Sequence, residues 1–290
     1  MDDNAEVPAI TEATLDASGA ERGRVALADG GSVAFEVMGR AHGGTAALLL
    51  RPLGGSTAMW GEFRDALARR LTVVAFDPRG VGRSSDAPAG ATTRDMARDA
   101  VAVLDALRVD VAHVFGISLG AMVATWLAVD APARVARLCL ASAGPTGLAL
   151  TASGVERGVV MAASLLAPDD EVVARLAEAV LSREVRARDD GPVEAVEDAA
   201  EGEPARRAEV VKLALAAACH DAREALPEVT APTLVLAGDR DELIGAEPPA
   251  ALAAAIAGAR FEVVAGAGHD LTLEQPAETA RRVGDFFLGG

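Results

Sequence analysis

The chain has 290 residues, 51% of them hydrophobic, and a formal net charge of −16. That apolar fraction allows a sizeable core, built as one large domain or as a core with an insertion. The negative charge argues against nucleic acid and anionic membrane surfaces as partners.

Residues 1–20 lack periodicity and read as a loose N-terminal tail. Arg24–Leu27 and Ser32–Val37 flank Asp29-Gly30-Gly31, the composition of a hairpin turn. Short, continuous apolar runs follow at Ala46–Leu50, Leu71–Phe76, Val111–Phe115 and Val135–Ala141. Such runs fit strands buried on both faces of a parallel sheet. Helical patterns at Trp60–Arg70, Thr92–Leu107 and Ala121–Asp130 separate them. The alternation predicts a doubly wound, mostly parallel α/β sheet. It stops near Gly144-Pro145. Residues 146–228 pattern as helices, with an acidic stretch from Asp189 to Glu203 and no strand-like run. A crossover needs only about a dozen residues, so this segment reads as a helical cap inserted into the core. Strand–helix alternation resumes with Thr233–Ala237, a helix over Pro249–Ala257, Phe261–Val264 and a last helix over Ala277–Phe287. The core is then residues 21–145 and 229–290.

The chemistry starts where the third apolar run enters Gly116-Ile117-Ser118-Leu119-Gly120 and a helix follows at once. In that strand–turn–helix context G-x-S-x-G is a nucleophile elbow, with the serine on a strained turn. The following helix N-terminus adds positive potential where negative charge would develop. A serine hydroxyl needs a neighbouring base. His269, in Gly268-His269-Asp270 just after the last strand, occupies the position where ligands gather in open α/β sheets. His113, His220 and His42 read as structural or solvated. The base needs an orienting carboxylate. Asp241 follows the strand Thr233–Ala237, with Asp239 and Glu242 as local competitors. The loop after Val135–Ala141, Ser142-Ala143-Gly144-Pro145, holds no carboxylate, which favours Asp241. Backbone amides of Leu119 and Leu53 are the expected oxyanion donors.

These features together resemble the α/β-hydrolase superfamily, and within it the small-molecule esterases and lactonases related to 3-oxoadipate enol-lactonase. The similarity covers residues 30–145 and 228–288. It rests on the elbow, on Phe76-Asp77-Pro78-Arg79-Gly80-Val81-Gly82-Arg83-Ser84, on the Asp241 loop and on the His269 loop. The resemblance implies an α/β-hydrolase fold with an inserted helical cap, and a structural role for Asp77 and Arg79. One departure stands out. The family carries His-Gly in the oxyanion loop, where this chain has Arg51-Pro52, and proline removes one amide. Arg51 either points into the pocket, where its forked guanidinium would hold a carboxylate or enolic anion, or bonds nearby backbone or pairs with an acidic residue.

The leading expectation is a serine hydrolase that cleaves a carboxylic ester or lactone of a small molecule through Ser118, His269 and Asp241. One alternative is a natural-product tailoring lyase that eliminates an ester group such as acetate, hinted at by Arg51 and by a composition suited to an antibiotic-producing bacterium. Another is a non-catalytic ligand-binding protein on the same fold. Arg51, Trp60 and Met122 are candidate substrate-binding residues. Met161, Leu165, Leu166, Leu176 and Val180 fit core packing of the cap better than pocket lining. No dinucleotide or phosphate fingerprint follows the first parallel strand, so no cofactor or metal is implied. Cys139 and Cys219 read as two buried, reduced thiols. The acidic start Met-Asp-Asp-Asn is unlike a secretory leader, and charges interrupt every long apolar run, so a cytoplasmic enzyme is expected.

Overall fold

Successive residues of a strand face opposite sides of its sheet, so a run that is apolar throughout needs helices on both sides. The computed structural model, which describes residues 8–16, 19–147, 180–187 and 206–290, has that layered arrangement. Its strands are β1 (Ile10–Leu15), β2 (Glu21–Ala26), β3 (Ser32–Met38), β4 (Ala46–Leu50), β5 (Val73–Phe76), β6 (Ala112–Ile117), β7 (Val135–Ala141), β8 (Thr233–Gly238) and β9 (Arg260–Val264). They form one sheet in the order β1-β2-β3-β5-β4-β6-β7-β8-β9. The β1–β2, β2–β3 and β3–β5 pairings are antiparallel, and every later pairing is parallel. The helices are α1 (Gly61–Ala68), α2 (Thr93–Ala106), α3 (Leu119–Asp130), α4 (Arg183–Arg186), α5 (Arg207–Ala218), α6 (Glu247–Ala255), α7 (Leu271–Glu274) and α8 (Pro276–Phe287).

Alternate residues of the same strands feed two cores. Leu48, Leu50, Val114 and Val235 pack with Val103 and Leu104 of α2, Leu127 of α3 and Leu252 of α6. Their neighbours Leu49, Phe115, Leu234 and Leu236 pack with Phe63 and Leu67 of α1 and with Val283 and Phe287 of α8. The α2 start is fixed by Thr92, whose hydroxyl accepts from the Asp95 amide while the Asp95 carboxylate accepts from the Thr92 amide.

Three expectations need correction. Residues 10–15 are not loose tail but the edge strand β1, antiparallel to β2. All six of its residues are exposed, so no buried face leaves a periodic trace in the sequence. Cys219 is exposed, whereas Cys139 is buried. Leu213, Ala216 and Ala217 turn inward from α5, which leaves Leu215 and Cys219 on its outer side. Finally, Ala222 and Leu226, assigned by sequence to the cap, pack in the first core. The segment's ends meet before them: Thr146 bridges Asp221, the Gly147 amide donates to the His220 carbonyl (2.6 Å), and the Ala222 amide donates to the Pro145 carbonyl (3.0 Å). Met161, Leu165, Leu166, Leu176 and the acidic stretch Asp189–Glu203 lie outside the described residues.

Candidate active site

The turn after β6 holds Ser118 at φ 54° and ψ −120°, a region L-residues rarely occupy. Its amide donates to the Ala141 carbonyl at the end of β7 (2.9 Å), and its carbonyl accepts from Ala121 (2.9 Å) at the start of α3. Glycine is required at Gly120 because α3 starts directly against the end of β4. A Cβ there would lie 2.5 Å from the Leu50 carbonyl carbon and 2.7 Å from the Arg51 carbonyl oxygen.

The three parallel strand ends bring Ser118, Asp241 and His269 together. Ser118 Oγ lies 2.9 Å from His269 Nε2, and His269 Nδ1 lies 2.8 Å from Asp241 Oδ2. A carboxylate can only accept, so Nδ1 carries the proton and Nε2 is left to accept from the serine hydroxyl. The other Asp241 oxygen accepts from the amides of Leu243 (2.9 Å) and Ile244 (3.0 Å), which aims Oδ2 at the imidazole. Burial pulls the His269 pKa down, but the charge and hydrogen bond of Asp241, with Asp270 and Glu274 beyond, outweigh it, and the net shift is upward. Burial pushes Asp241 up, yet the His269 charge and hydrogen bond and the two amides bring it below its ordinary value. The competing carboxylates face elsewhere: Asp239 accepts from the Gly266 amide (2.7 Å), and Glu242 pairs with Arg183 (3.4 Å).

The His269 loop is held from three sides by residues the sequence reading did not single out. Ser142 Oγ donates to the His269 carbonyl (2.7 Å). Glu274 accepts from the Gly268 amide (3.0 Å) and, far along the chain, from the Ser182 amide (2.7 Å) and hydroxyl (2.6 Å). Asp270 caps α7 through the Thr272 amide (3.1 Å). A signal for the last was available, because an aspartate before Leu-Thr-Leu-Glu has the form of a helix start. Ser182 and Glu274 are 92 residues apart, and nothing local announces their contact.

On the opposite side, the loop after β4 turns at Pro52–Gly55, where the Gly55 amide donates to the Pro52 carbonyl (3.1 Å) and Gly54 sits at φ 74°. That is the pattern of a type II turn, which leaves the amide of its second residue, Leu53, unused by the turn. Leu119 opens α3, where the first amides have no acceptor within the helix. Arg51 lies in the interior. Its side chain is fully buried beside Asp270, with Nη2 3.4 Å from Oδ2. Trp60 is also fully buried, packed on Phe63 and Phe115 and lying under the Arg51 guanidinium. Both side chains are interior in this structure. Met122 is buried in a small apolar cluster with Val81, Leu119 and, from α5, Leu213 and Ala217. Val180 is half-buried.

The remaining histidines sit away from the relay. His113 stacks on Phe287, and burial pulls its pKa down to about 4. His220 shares a hydrogen bond with Thr93 Oγ1 (2.9 Å) and is likewise lowered by burial to about 4. His42 Nε2 meets the Ala68 carbonyl (2.8 Å). Asp77 accepts from the Thr57 (2.6 Å) and Arg83 (3.2 Å) amides, and Arg79 forks onto Asp99 (2.9 Å), so this segment ties loops together. Among the described residues no group of three His, Cys, Asp or Glu side chains is arranged to hold a metal ion.

A profile of the alpha/beta hydrolase fold matches residues 42–276. The chain belongs to the α/β-hydrolase fold family. This α/β hydrolase is 30% identical over 225 residues to a 3-oxoadipate enol-lactonase of Acinetobacter baylyi, a match covering 77% of this chain and 81% of that one. It is 47% identical over 111 residues to a Variovorax paradoxus protein that bears, provisionally, the name carbamate hydrolase. That match takes in 38% of this chain and spans only 41% of the relative's length. A solved hydrolase from Pseudomonas aeruginosa superposes on the α/β hydrolase with a TM-score of 0.80 at 31% identity, covering 93% of this chain and 98% of that one. Among the described residues, no helix of the α/β hydrolase is long and apolar enough to cross a membrane.

Proposed function

We propose that the chain is a serine hydrolase that opens a carboxylic ester or lactone of a small organic molecule through an acyl-enzyme. The observation that carries this reading is the buried relay, with 2.9 Å from Ser118 Oγ to His269 Nε2 and 2.8 Å from Nδ1 to Asp241. In the proposed cycle Ser118 attacks the carbonyl carbon as its proton passes to Nε2. The amides of Leu119 and Leu53 receive the developing oxyanion, and the imidazolium, held by Asp241, returns the proton to the leaving oxygen. Water then repeats the sequence on the acyl-enzyme. The relatives' names, carbamate hydrolase and enol-lactonase, describe acyl carbons that bear a nitrogen or oxygen leaving group, which this cycle accommodates. The small apolar cluster that joins Leu119 and Met122 to the cap suits a small, uncharged acyl group beside the serine.

The lyase alternative loses its particular support, because the Arg51 guanidinium is buried against Asp270. The test is turnover of p-nitrophenyl esters and simple lactones, with fluorophosphonate labelling at Ser118. Hydrolysis adds the mass of water to the products, and Ser118→Ala should lose both turnover and label. Undiminished turnover by Ser118→Ala, or products lacking that mass, would refute the acyl-enzyme cycle.

A further inference from the structure

Arg51 occupies an unusual position for a cation. Its side chain is wholly buried, Nη1 is 3.3 Å from Thr272 Oγ1, Nη2 is 3.4 Å from Asp270 Oδ2, and the guanidinium carbon stands 4.5 Å from the Trp60 ring centre. Its Nε lies beneath Gly55, where a Cβ would come within 2.7 Å of it. The residue therefore joins two loops distant in sequence. One is the turn at Pro52–Gly55, which carries the Leu53 amide; the other is the segment whose Asp270 immediately follows His269.

We propose that Arg51 is a positioning residue that sets the oxyanion turn and the His269 loop at a fixed separation, a reading that rests on the serine-hydrolase cycle above. Stability alone does not explain the choice of residue. A buried ion pair is weak evidence for stability, since apolar residues of similar volume often replace one without loss. A guanidinium supplies instead a rigid planar fork with several donors at fixed angles, and it packs flat on an aromatic ring. The turn needs such support, because Pro52 contributes no amide and the remaining donor must be well aimed. The His269 loop is pinned at Gly268 by Glu274 and at the His269 carbonyl by Ser142. Arg51 adds a third hold at Asp270, and of these three it is the one that also reaches the oxyanion turn.

The experiment compares wild type with Arg51→Met, Asp270→Asn, the double variant and Arg51→Lys, measuring kcat, KM and thermal midpoint on a p-nitrophenyl ester. Asp270→Asn keeps the side-chain oxygen that caps α7. Loss of loop registry by about 1 Å predicts a fall in kcat of roughly 10- to 100-fold for Arg51→Met, with KM within about twofold of wild type. The double variant, which strands no buried charge, should regain most of the thermal midpoint while kcat stays low. Arg51→Lys, which keeps the charge but loses the fork, should fall between. Recovery of kcat together with stability in the double variant would overturn the proposal, and that variant decides the matter if Arg51→Met alone does not fold. The downfield NMR signal of the His269 Nδ1 proton supplies a readout independent of substrate. It should shift in Arg51→Met and in the double variant, and an unchanged signal would overturn the proposal even if wild type cleaves no ester. An inactive, unlabelled wild type would instead defeat the hydrolase reading.

Discussion

Replacing Gly120 by alanine tests how tightly α3 is seated on the sheet. The new methyl would stand 2.5 Å from the Leu50 carbonyl carbon, whereas ordinary contact begins at 3.4 Å. The Leu50 carbonyl oxygen lies nearer still, so the helix start or the β4 end must yield by more than the 0.9 Å that the carbon alone requires. Both neighbours are backbone, one in a paired strand and one in the first turn of a helix, so no side-chain rotation relieves the overlap. The displaced atoms are those that carry Ser118, Leu119 and the beginning of the Arg51–Gly55 turn. A misplacement near 1 Å costs about 100-fold in rate, and overpacking of this kind costs about 1–3 kcal/mol. With an unfolding entropy of about 2.1 cal/mol/K per residue, 290 residues give about 0.6 kcal/mol/K, so the thermal midpoint should fall by about 2–5 °C. Steady-state kinetics on a chromogenic ester and differential scanning calorimetry read the two effects together. A Gly120→Ala enzyme with wild-type kcat and midpoint would show that the helix start is free to settle elsewhere, and the geometric reasoning would be wrong.

Other consequences are as direct. In the proposed cycle His269 must be neutral to accept the serine proton, and its pKa is raised above 6.5, so kcat/KM should climb with pH through a midpoint above 6.5. The same upward shift contributes stability that is fully present below pH 6.5 and is lost as pH rises through the folded value. Asp241→Asn should lower that kinetic midpoint and cut kcat by about 10³- to 10⁴-fold. Glu274→Ala strands the Gly268 amide and both Ser182 donors. It should cost at least about 2 kcal/mol in chemical denaturation, with Glu274→Gln recovering part; an unaffected Glu274→Ala would mean water replaces the carboxylate freely. A thiol reagent applied to the native protein should titrate Cys219 quickly and Cys139 only after unfolding, since Cys139 is buried and burial raises its pKa well above the ordinary value.

Much of the architecture was legible because its signals are local. The run Val135–Ala141 is continuous and apolar, and it coincides with β7. The elbow announces itself within five residues, and Thr92 with Asp95 marks a helix start by spacing alone. The residues that escaped notice answer to partners far along the chain. Arg51 meets Asp270 and Thr272 at separations of 219 and 221 residues, so its sequence neighbours could not decide between pocket and interior. Glu274 lies outside every helix the sequence pattern marks, yet it joins Ser182 to the His269 loop. β1 was invisible for the opposite reason: it is held through backbone pairing, and its side chains bury nothing.

The closure at Thr146 and Asp221 has a wider consequence. Between β7 and β8 the chain closes on itself at this bridge, outside the sheet, with the 74 residues numbered 147–220 between the two feet. An excursion whose feet already touch can lengthen, shorten or be exchanged at little entropic penalty, because closing a larger loop costs only logarithmically more. The sheet and the segment between those feet can then diverge separately, one keeping its strand ends in place while the other changes in length or sequence.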